Sequence, residues 1–505
     1  MSDLLHYRRV RITGVLRLES ELHIGSGGVC FYKGKQNPDT GKPEQYEANA
    51  IALDAQGKPY IPGSSLRGLL ASLVPAGSPQ YRRWFGDPRG QNDDHGAMGA
   101  LRVYDAVLED VAETHFMSRT AIDSVTGTAK QHQLATHVRV GSGAQFKVEI
   151  GFDTRPEGFD TPVAGVELIN EADIESLLTV LQGLNGEQIG TGKSVGQGLL
   201  EWRLLEVNAL SDKDLVSWIQ NNLRHGKAKK GKQAKLNKYQ KLQPQFKPVS
   251  VQVEQVLQGC WREEAFKLKL NGSILINNPH DPEVKAKNNP DTPKEERKKL
   301  SDLVFLKDQR QSLALIPGST LKGWFRGHCR RILMTLIQDA EAGGIEKPAE
   351  DKVDLALNEV FGGPDSGYGV LRFRDATLRF SEADQYRQTF NAVDRFTGGV
   401  KDTALYKVTG LRTDKVFSGS VAYRRNALKQ TENGWMNLLL MFAWRDAEEG
   451  DLVLGWGKSR GYGRLTLEPD DGGWSAWLNK LDEKQLDAWE QQLWQKLGIA
   501  MEATA

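Results

Sequence analysis

Two glycine-rich blocks each carry a lysine placed to meet a phosphate. The first is Gly190-Thr191-Gly192-Lys193-Ser194-Val195-Gly196-Gln197-Gly198; the second is Gly455-Trp456-Gly457-Lys458-Ser459-Arg460-Gly461-Tyr462-Gly463. Glycines let a nucleic-acid backbone approach closely and leave amide donors free, while the basic side chain adds charge. Gly192-Lys193-Ser194 also looks like the end of a nucleotide-binding P-loop. That motif needs a glycine five positions before Gly192, where Glu187 stands, and it runs from strand to helix, the reverse of the order here. An NTPase is therefore set aside. Two readings stay open: phosphate contact through Lys193, Lys458 and Arg460, or a tight turn that needs positive φ.

A second pair of cations begins a helix. Ile61-Pro62-Gly63-Ser64-Ser65-Leu66-Arg67-Gly68 and Ile316-Pro317-Gly318-Ser319-Thr320-Leu321-Lys322-Gly323 both precede apolar residues at helical spacing. Ser64 or Ser65, and Ser319 or Thr320, are natural N-caps. Arg67 and Lys322 sit where a cation opposes the helix dipole. Either a phosphate is bound there by amides, hydroxyl and base together, or the cation is simply solvated beside an N-cap.

The elements behind these residues recur. Besides the two pairs above, Phe85-Gly86 with Gly99 to Arg102 and Asp105-Ala106 returns as Phe361-Gly362 with Gly369 to Arg372 and Asp375-Ala376. Ala121-Ile122-Asp123, Thr126-Gly127 and Lys130 return as Ala392-Val393-Asp394, Thr397-Gly398 and Lys401. The order is the same each time, so the chain is a duplicated domain with loop insertions. Residues 8–19 and 265–276 alternate like half-buried strands and open the two copies. Helices are expected over 172–185 and 436–444, each followed by the glycine block and a strand, and over Trp489–Leu497. This is an α+β, ferredoxin-like plan. The domains are expected at 1–220 and 261–505, joined by a basic, flexible linker over 221–260 that either tethers or also binds RNA phosphate. A polar insertion from Asn277 to Lys299 is expected to be a mobile loop.

The 505 residues suit two domains, and a net charge of +1 excludes nucleic-acid binding by bulk charge alone. Three separated cysteines exclude a disulfide scaffold and a cysteine-rich zinc site, and they fit a reducing cytoplasm. No apolar run reaches membrane-span length, so no membrane partner is expected.

The loop from His23 to Gly28, the IPGS-type helix starts, the Phe-Gly blocks and the final glycine-rich strands together resemble the RAMP family. More narrowly they resemble the backbone subunits of type III CRISPR complexes, and the fusion of two units resembles the subtype D systems. The resemblance implies two tandem ferredoxin-like (RRM-like) RAMP domains with β-hairpin thumbs, here Ala121–Gln145 and Ala392–Val416. It implies crRNA, a target single-stranded RNA and other type III effector subunits as partners. His23, Ser64, Ser65, Arg67, Thr126, Lys130, Lys193, Ser319, Thr320, Lys322, Thr397, Lys401, Lys458 and Arg460 are then expected at RNA.

In that family a loop aspartate about fourteen residues before the IPGS block, with an acid six positions later, supports target cleavage with Mg²⁺ or another divalent ion. Asp302 and Asp308 match in the second copy, so Asp302 is the expected catalytic and metal-binding residue. In the first copy Asp54 matches, but Ala48 stands at the aspartate position. Either that copy has lost its nuclease, or Glu47, Glu44 or Asp39 substitutes. Two other functions compete: a non-catalytic scaffold, and a precursor-RNA processing endonuclease using His6.

Overall fold

The computed structural model describes residues 6–36, 43–87, 97–123, 126, 128–156, 166–167, 169–211, 213–216, 246–250, 261–308, 312–342, 350–363, 367, 369–401, 404–424, 427–428, 431–469 and 481–499. The basic stretch Arg224 to Lys241 and Asp39 lie outside these residues.

Each copy is a β-α-β-β-α-β unit. The first comprises β1 (Tyr7–Leu18), α1 (Gly63–Ser72), β2 (Ala106–Leu108), β3 (Gln145–Asp153), α2 (Glu171–Gln182) and β4 (Leu200–Ser211). The second comprises β5 (Trp261–Leu270), α3 (Gly318–Ala342), β6 (Ala376–Arg379), β7 (Val416–Arg424), α4 (Gly434–Glu448) and β8 (Arg464–Pro469). The strands run β4-β1-β3-β2 and β8-β5-β7-β6 across their sheets, a ferredoxin-like order in both. Alternation drives it. Phe146, Val148, Ile150 and Phe152 of β3 point inward at every second position and meet Leu66, Leu70, Leu177 and Leu181 from the helices. Phe266, Leu268 and Leu270 do the same beneath Phe325 and Leu439 in a separate second core.

Several expectations shift. The strand expected to reach residue 276 ends at Leu270, because Gly272 turns the chain at φ +122°. The C-terminal helix α5 (Glu483–Leu497) begins earlier than expected, capped by Asp482, and lays Trp489 on Gly434. The insertion expected to be a mobile loop is instead folded. It forms helices over Pro282–Asn288 and Lys294–Arg297. Asp281 accepts from the Glu283 amide, Pro282 takes the first helical position, and Val284 is buried. Composition hid this because the apolar anchor is a single residue.

Each copy also carries a second sheet. In the first, the order is Gly25–Gln36, Pro43–Ile51, Ala129–Val140, Thr114–Ile122; in the second, Leu303–Val304, Tyr406–Leu411, Gln385–Phe390. The hairpins therefore start before the expected Ala121 and Ala392. Thr114–Ile122 is half exposed along most of its length, so no inward apolar period marks it.

Candidate functional site

The helix starts are the first surprise. The residue before α1 is Pro62, and no Ser64 or Ser65 hydroxyl caps it. The Gly63 amide donates to Asp105 Oδ1 at 2.7 Å, and the Gly318 amide donates to Asp375 Oδ1 at 2.7 Å. The repeated Asp-Ala block thus caps the repeated IPGS block, which gives both recurrences one cause. A carboxylate occupies the place expected for phosphate. Arg67 donates to the Phe85 carbonyl and lies over its ring, so it ties α1 to the Phe-Gly block.

Lys322 does something different: its Nζ donates to Ser194 Oγ of the first copy's glycine block at 2.8 Å. That block is docked on the second copy. A Cβ on Gly196 would stand 2.8 Å from Arg374 Cα, and one on Gly318 would stand 2.9 Å from the Val195 carbonyl. Arg372 pairs with Glu187 at 3.8 Å. Burial, then the Arg372 charge, lowers the pKa of Lys193. Around this junction Glu21 accepts from Arg139 at 2.8 Å and lies 3.0 Å from His115. Burial pushes the Asp375 carboxyl up to about 6.

The glycines are required by geometry in both copies. Gly190, Gly192, Gly196 and Gly198, like Gly455, Gly457, Gly461 and Gly463, all have positive φ. Cβ atoms on Gly198 and Gly463 would each lie 1.8 Å from a backbone carbonyl. The turn reading thus accounts for the glycines, and the surroundings separate the lysines. The second block is open: Lys458 and Arg460 are exposed, and Arg460 lies over the rings of Phe390, Tyr406 and Trp456 at 5.4–5.9 Å. Nothing in the spacing announced that seat, since its rings come from three segments. Lys458→Ala is expected to weaken RNA binding and flatten its salt dependence by about one unit. Lys193→Ala should loosen the junction and leave the salt slope unchanged. Binding titrations between low and moderate salt separate the two.

His23, expected as an RNA contact or a loop stabiliser, is buried. Its Nδ1 meets the Val138 carbonyl at 2.7 Å, and its ring packs edge-on against His137. It fastens its loop. At the hairpin tips, Asp123 and Asp394 each accept from the amide and hydroxyl of Thr126 and Thr397 at 2.9 and 3.2 Å. The recurring Asp-Thr spacing is therefore a turn, with both threonine hydroxyls engaged. Lys130 lies 3.9 Å from Asp123, and Lys401 is exposed. Val393, Phe396 and Val400 are exposed around the second tip, Phe396 almost completely.

Strand register places Asp302. Leu303 pairs in parallel with Val408, and Asn49 pairs in parallel with His137. Ile274 bridges Leu411 and Leu22 bridges Val140, so the two sheets superpose with Asp302 at the place of Ala48. Asp302 Oδ2 accepts from the Lys407 amide at 2.8 Å and from Lys287 Nζ at 2.6 Å, and its side chain is 36% exposed. No described residue bonds Oδ1. Ala48 is buried, Glu47 is exposed on the neighbouring position, and Glu44 bonds Tyr46.

The second acid is a turn former in both copies. Asp308 accepts from the Ser312 and Leu313 amides at 2.7 Å and from the Ser312 hydroxyl; Asp54 accepts from the Gln56 and Lys58 amides. A divalent ion would find one carboxylate already paired with an ammonium and a second spent on backbone amides. No three His, Cys, Asp or Glu side chains converge among the described residues. Asp302 Oδ1 stays open, so a divalent ion would be held there through that oxygen together with waters and a substrate phosphate.

The folded insertion also joins the copies. His280 Nε2 meets Ser118 Oγ at 2.8 Å, and its ring packs on Tyr32 and Phe116. Burial first, then Lys285 and His115, lowers its pKa to about 4. The unfolded chain therefore binds this proton more readily, and the contact's stability, present above about pH 6.5, is lost as pH falls toward 4. His280→Phe should flatten part of the decline in melting temperature between pH 7 and 5. His137, lowered to about 4 by burial, keeps the remainder.

A family model described as the RAMP superfamily matches residues 15–201 and 274–466. A curated relative from Enterococcus italicus, the CRISPR system Cms endoribonuclease Csm3, is 26% identical over 224 residues, covering 39% of this chain and 90% of the relative. A protein of the same name from Methanocaldococcus jannaschii is 23% identical over 231 residues, covering 40% and 82%. Each relative spans about one copy.

Proposed function

The chain belongs to the RAMP superfamily, in two copies, and from that premise we propose that it is a double backbone subunit of a type III CRISPR ribonucleoprotein, as in subtype D. It grips crRNA along both copies and cuts complementary target RNA at the second. Its other partners are the remaining effector subunits, in the cytoplasm. No described helix is long and apolar enough to cross a membrane.

One observation carries the nuclease reading. Asp302 lies at the base of the second hairpin, partly exposed, with Oδ2 fixed by the Lys407 amide and Oδ1 unengaged by any described residue. A carboxylate so held can take the proton of a ribose 2′-hydroxyl while that oxygen attacks the adjacent phosphorus. The bond to the 5′-oxygen breaks, a cyclic 2′,3′-phosphate forms, and the departing oxygen takes a proton from water. In-line attack needs an unstacked nucleotide, which regular A-form duplex does not present. The exposed Val393, Phe396 and Val400 suit a wedge between bases. Lys458 and Arg460, exposed beside this hairpin, suit phosphates. Mg²⁺ or another divalent ion, held through Asp302 Oδ1, would stabilise the charge growing on the phosphate.

The test is the complex purified through a tag on this chain and given guide-matched RNA labelled at one end. A ladder whose fragments carry cyclic phosphates supports the nuclease. An intact target, bound as tightly, would leave a scaffold. Cutting of repeat RNA by the isolated chain would favour the processing function and direct attention to the exposed His6.

A further inference from the structure

We propose that Arg460, laid on the rings of Phe390, Tyr406 and Trp456, is a seat for one unpaired nucleobase of RNA, with a purine favoured, and that the second copy alone carries it. This rests on the reading of the chain as RNA-binding and is independent of which residue cuts.

The two copies can be compared at the seat position by position. The glycine blocks align residue for residue, so Thr191, Val195 and Gln197 correspond to Trp456, Arg460 and Tyr462. The strand ladders extend the match. Arg119 pairs with Ala135 and Phe390 with Tyr406, in sheets matched by the Leu22–Val140 and Ile274–Leu411 bridges. Arg119 and Ala135 therefore stand where Phe390 and Tyr406 stand. The Gly198 amide donates to the Glu21 carbonyl at 2.8 Å and the Gly463 amide to the Ser273 carbonyl at 2.7 Å, so Ser273 takes the place of Glu21. Leu200 bonds Glu187 as Leu465 pairs with Leu452, so Leu452 takes the place of Glu187.

The chemistry of the face has changed completely. In the first copy it meets the second copy through charge: Glu187 pairs with Arg372, and the charges of Glu21 and Arg119 act on Asp375. None of these three charges persists at Leu452, Ser273 and Phe390. A face meant to dock on a further domain in the same way would keep them. Instead, rings pack on one another: Phe390 on Tyr406 at 5.5 Å, and Trp456 edge-on to Phe390 at 5.5 Å and to Tyr462 at 5.4 Å. Arg460 lies over three of them, donates to the Tyr406 hydroxyl, and anchors its amide on the Gly457 carbonyl at 2.7 Å.

Charge alone would not need the rings, since the neighbouring Lys458 is exposed without them. What the rings add is a fixed plane. A guanidinium held by cation–π contact is flat and weakly hydrated, and its solvent side can stack on another flat group. Every base offers such a face, and a purine offers the larger one. The approach is open, because nothing lies within 4 Å of where a Cβ on Gly461 would stand. The seat is at the neck of the second hairpin, whose exposed tip residues suit a wedge between bases, so a base pushed from its stack has somewhere to go. Tyr406 directly precedes Lys407, whose amide holds Asp302.

The experiment uses the complex purified through a tag on this chain and removes one base at a time, leaving every phosphate. Abasic residues are walked first through the guide, reading its dissociation rate, and then through the target, reading its affinity. The two walks tell which strand supplies the base. Each is repeated with Arg460→Lys, which keeps the charge and loses the plane. At one position the abasic residue should loosen wild-type binding by about 10-fold, the scale of one stacked base, and should cost Arg460→Lys nothing further. At that position a purine should bind about 3-fold tighter than a pyrimidine. Positions that matter through pairing should cost both proteins alike. Arg460→Lys should leave the salt slope unchanged, whereas Lys458→Ala should flatten it. Equal losses for wild type and Arg460→Lys at every position overturn the seat. Loss of a protein subunit from the Arg460→Lys complex, without such coupling, gives the face to a protein partner and also overturns it. A complex that holds neither guide nor target overturns instead the reading of the chain as RNA-binding.

Discussion

Asp302→Ala is expected to erase one band from the target-RNA ladder while leaving every other cut in place. General-base catalysis contributes about 10²–10⁴-fold, or about 3–5 kcal/mol at 1.36 kcal/mol per decade. A band reduced by that factor vanishes against its neighbours. Binding of guide and target should survive, because the backbone bond from the Asp302 amide to the Lys407 carbonyl is untouched. Glu47→Ala should change nothing, since register puts Ala48, not Glu47, at the equivalent place. The reverse pattern, with Glu47→Ala removing a band and Asp302→Ala none, would move the nuclease to the first copy.

The second large effect comes from one substitution made twice. Gly196→Ala and Gly461→Ala alter equivalent glycines with φ of +78° and +80°. Both pay the left-handed backbone cost of about 1–2 kcal/mol. At Gly461 nothing else lies within 4 Å of the new Cβ, so melting should fall by only a few degrees. At Gly196 the Cβ meets Arg374 Cα at 2.8 Å and the Phe373 carbonyl at 2.9 Å, both backbone. The copies must separate there. Scanning calorimetry should show two transitions for Gly196→Ala and one for Gly461→Ala; equal shifts would mean the junction is not held by this loop.

The duplication was legible because a strand, a helix start and a turn each need particular residues at fixed spacing. The glycine blocks show the limit. Their positive-φ positions could be read, but whether a loop is open or docked depends on what another domain presents, and Ser194 and Ser459 look alike until Lys322 arrives. Asp105 and Asp375 were visible as repeats, yet their caps span 42 and 57 residues, beyond any local pattern. The folded insertion was missed for the opposite reason: its polar residues, Asp281, Glu283 and Lys287, are fixed by partners distant in sequence. His23 could be read as an RNA contact or a loop stabiliser, and only tertiary packing against Val138 and His137 decides for the second.

The junction between the copies contains Glu21 and Asp375, carboxylates taken out of water beside Arg119 and Arg139. Such an interface is poorly suited to holding separate proteins together, because desolvating charge consumes much of what their attraction returns. Joining both partners in one polypeptide removes that difficulty. The encounter becomes intramolecular, with an effective local concentration set by the connecting segment and not by expression level. Dilution that would scatter independent subunits leaves this pair assembled, and the two copies are always made in a one-to-one ratio and in a fixed order.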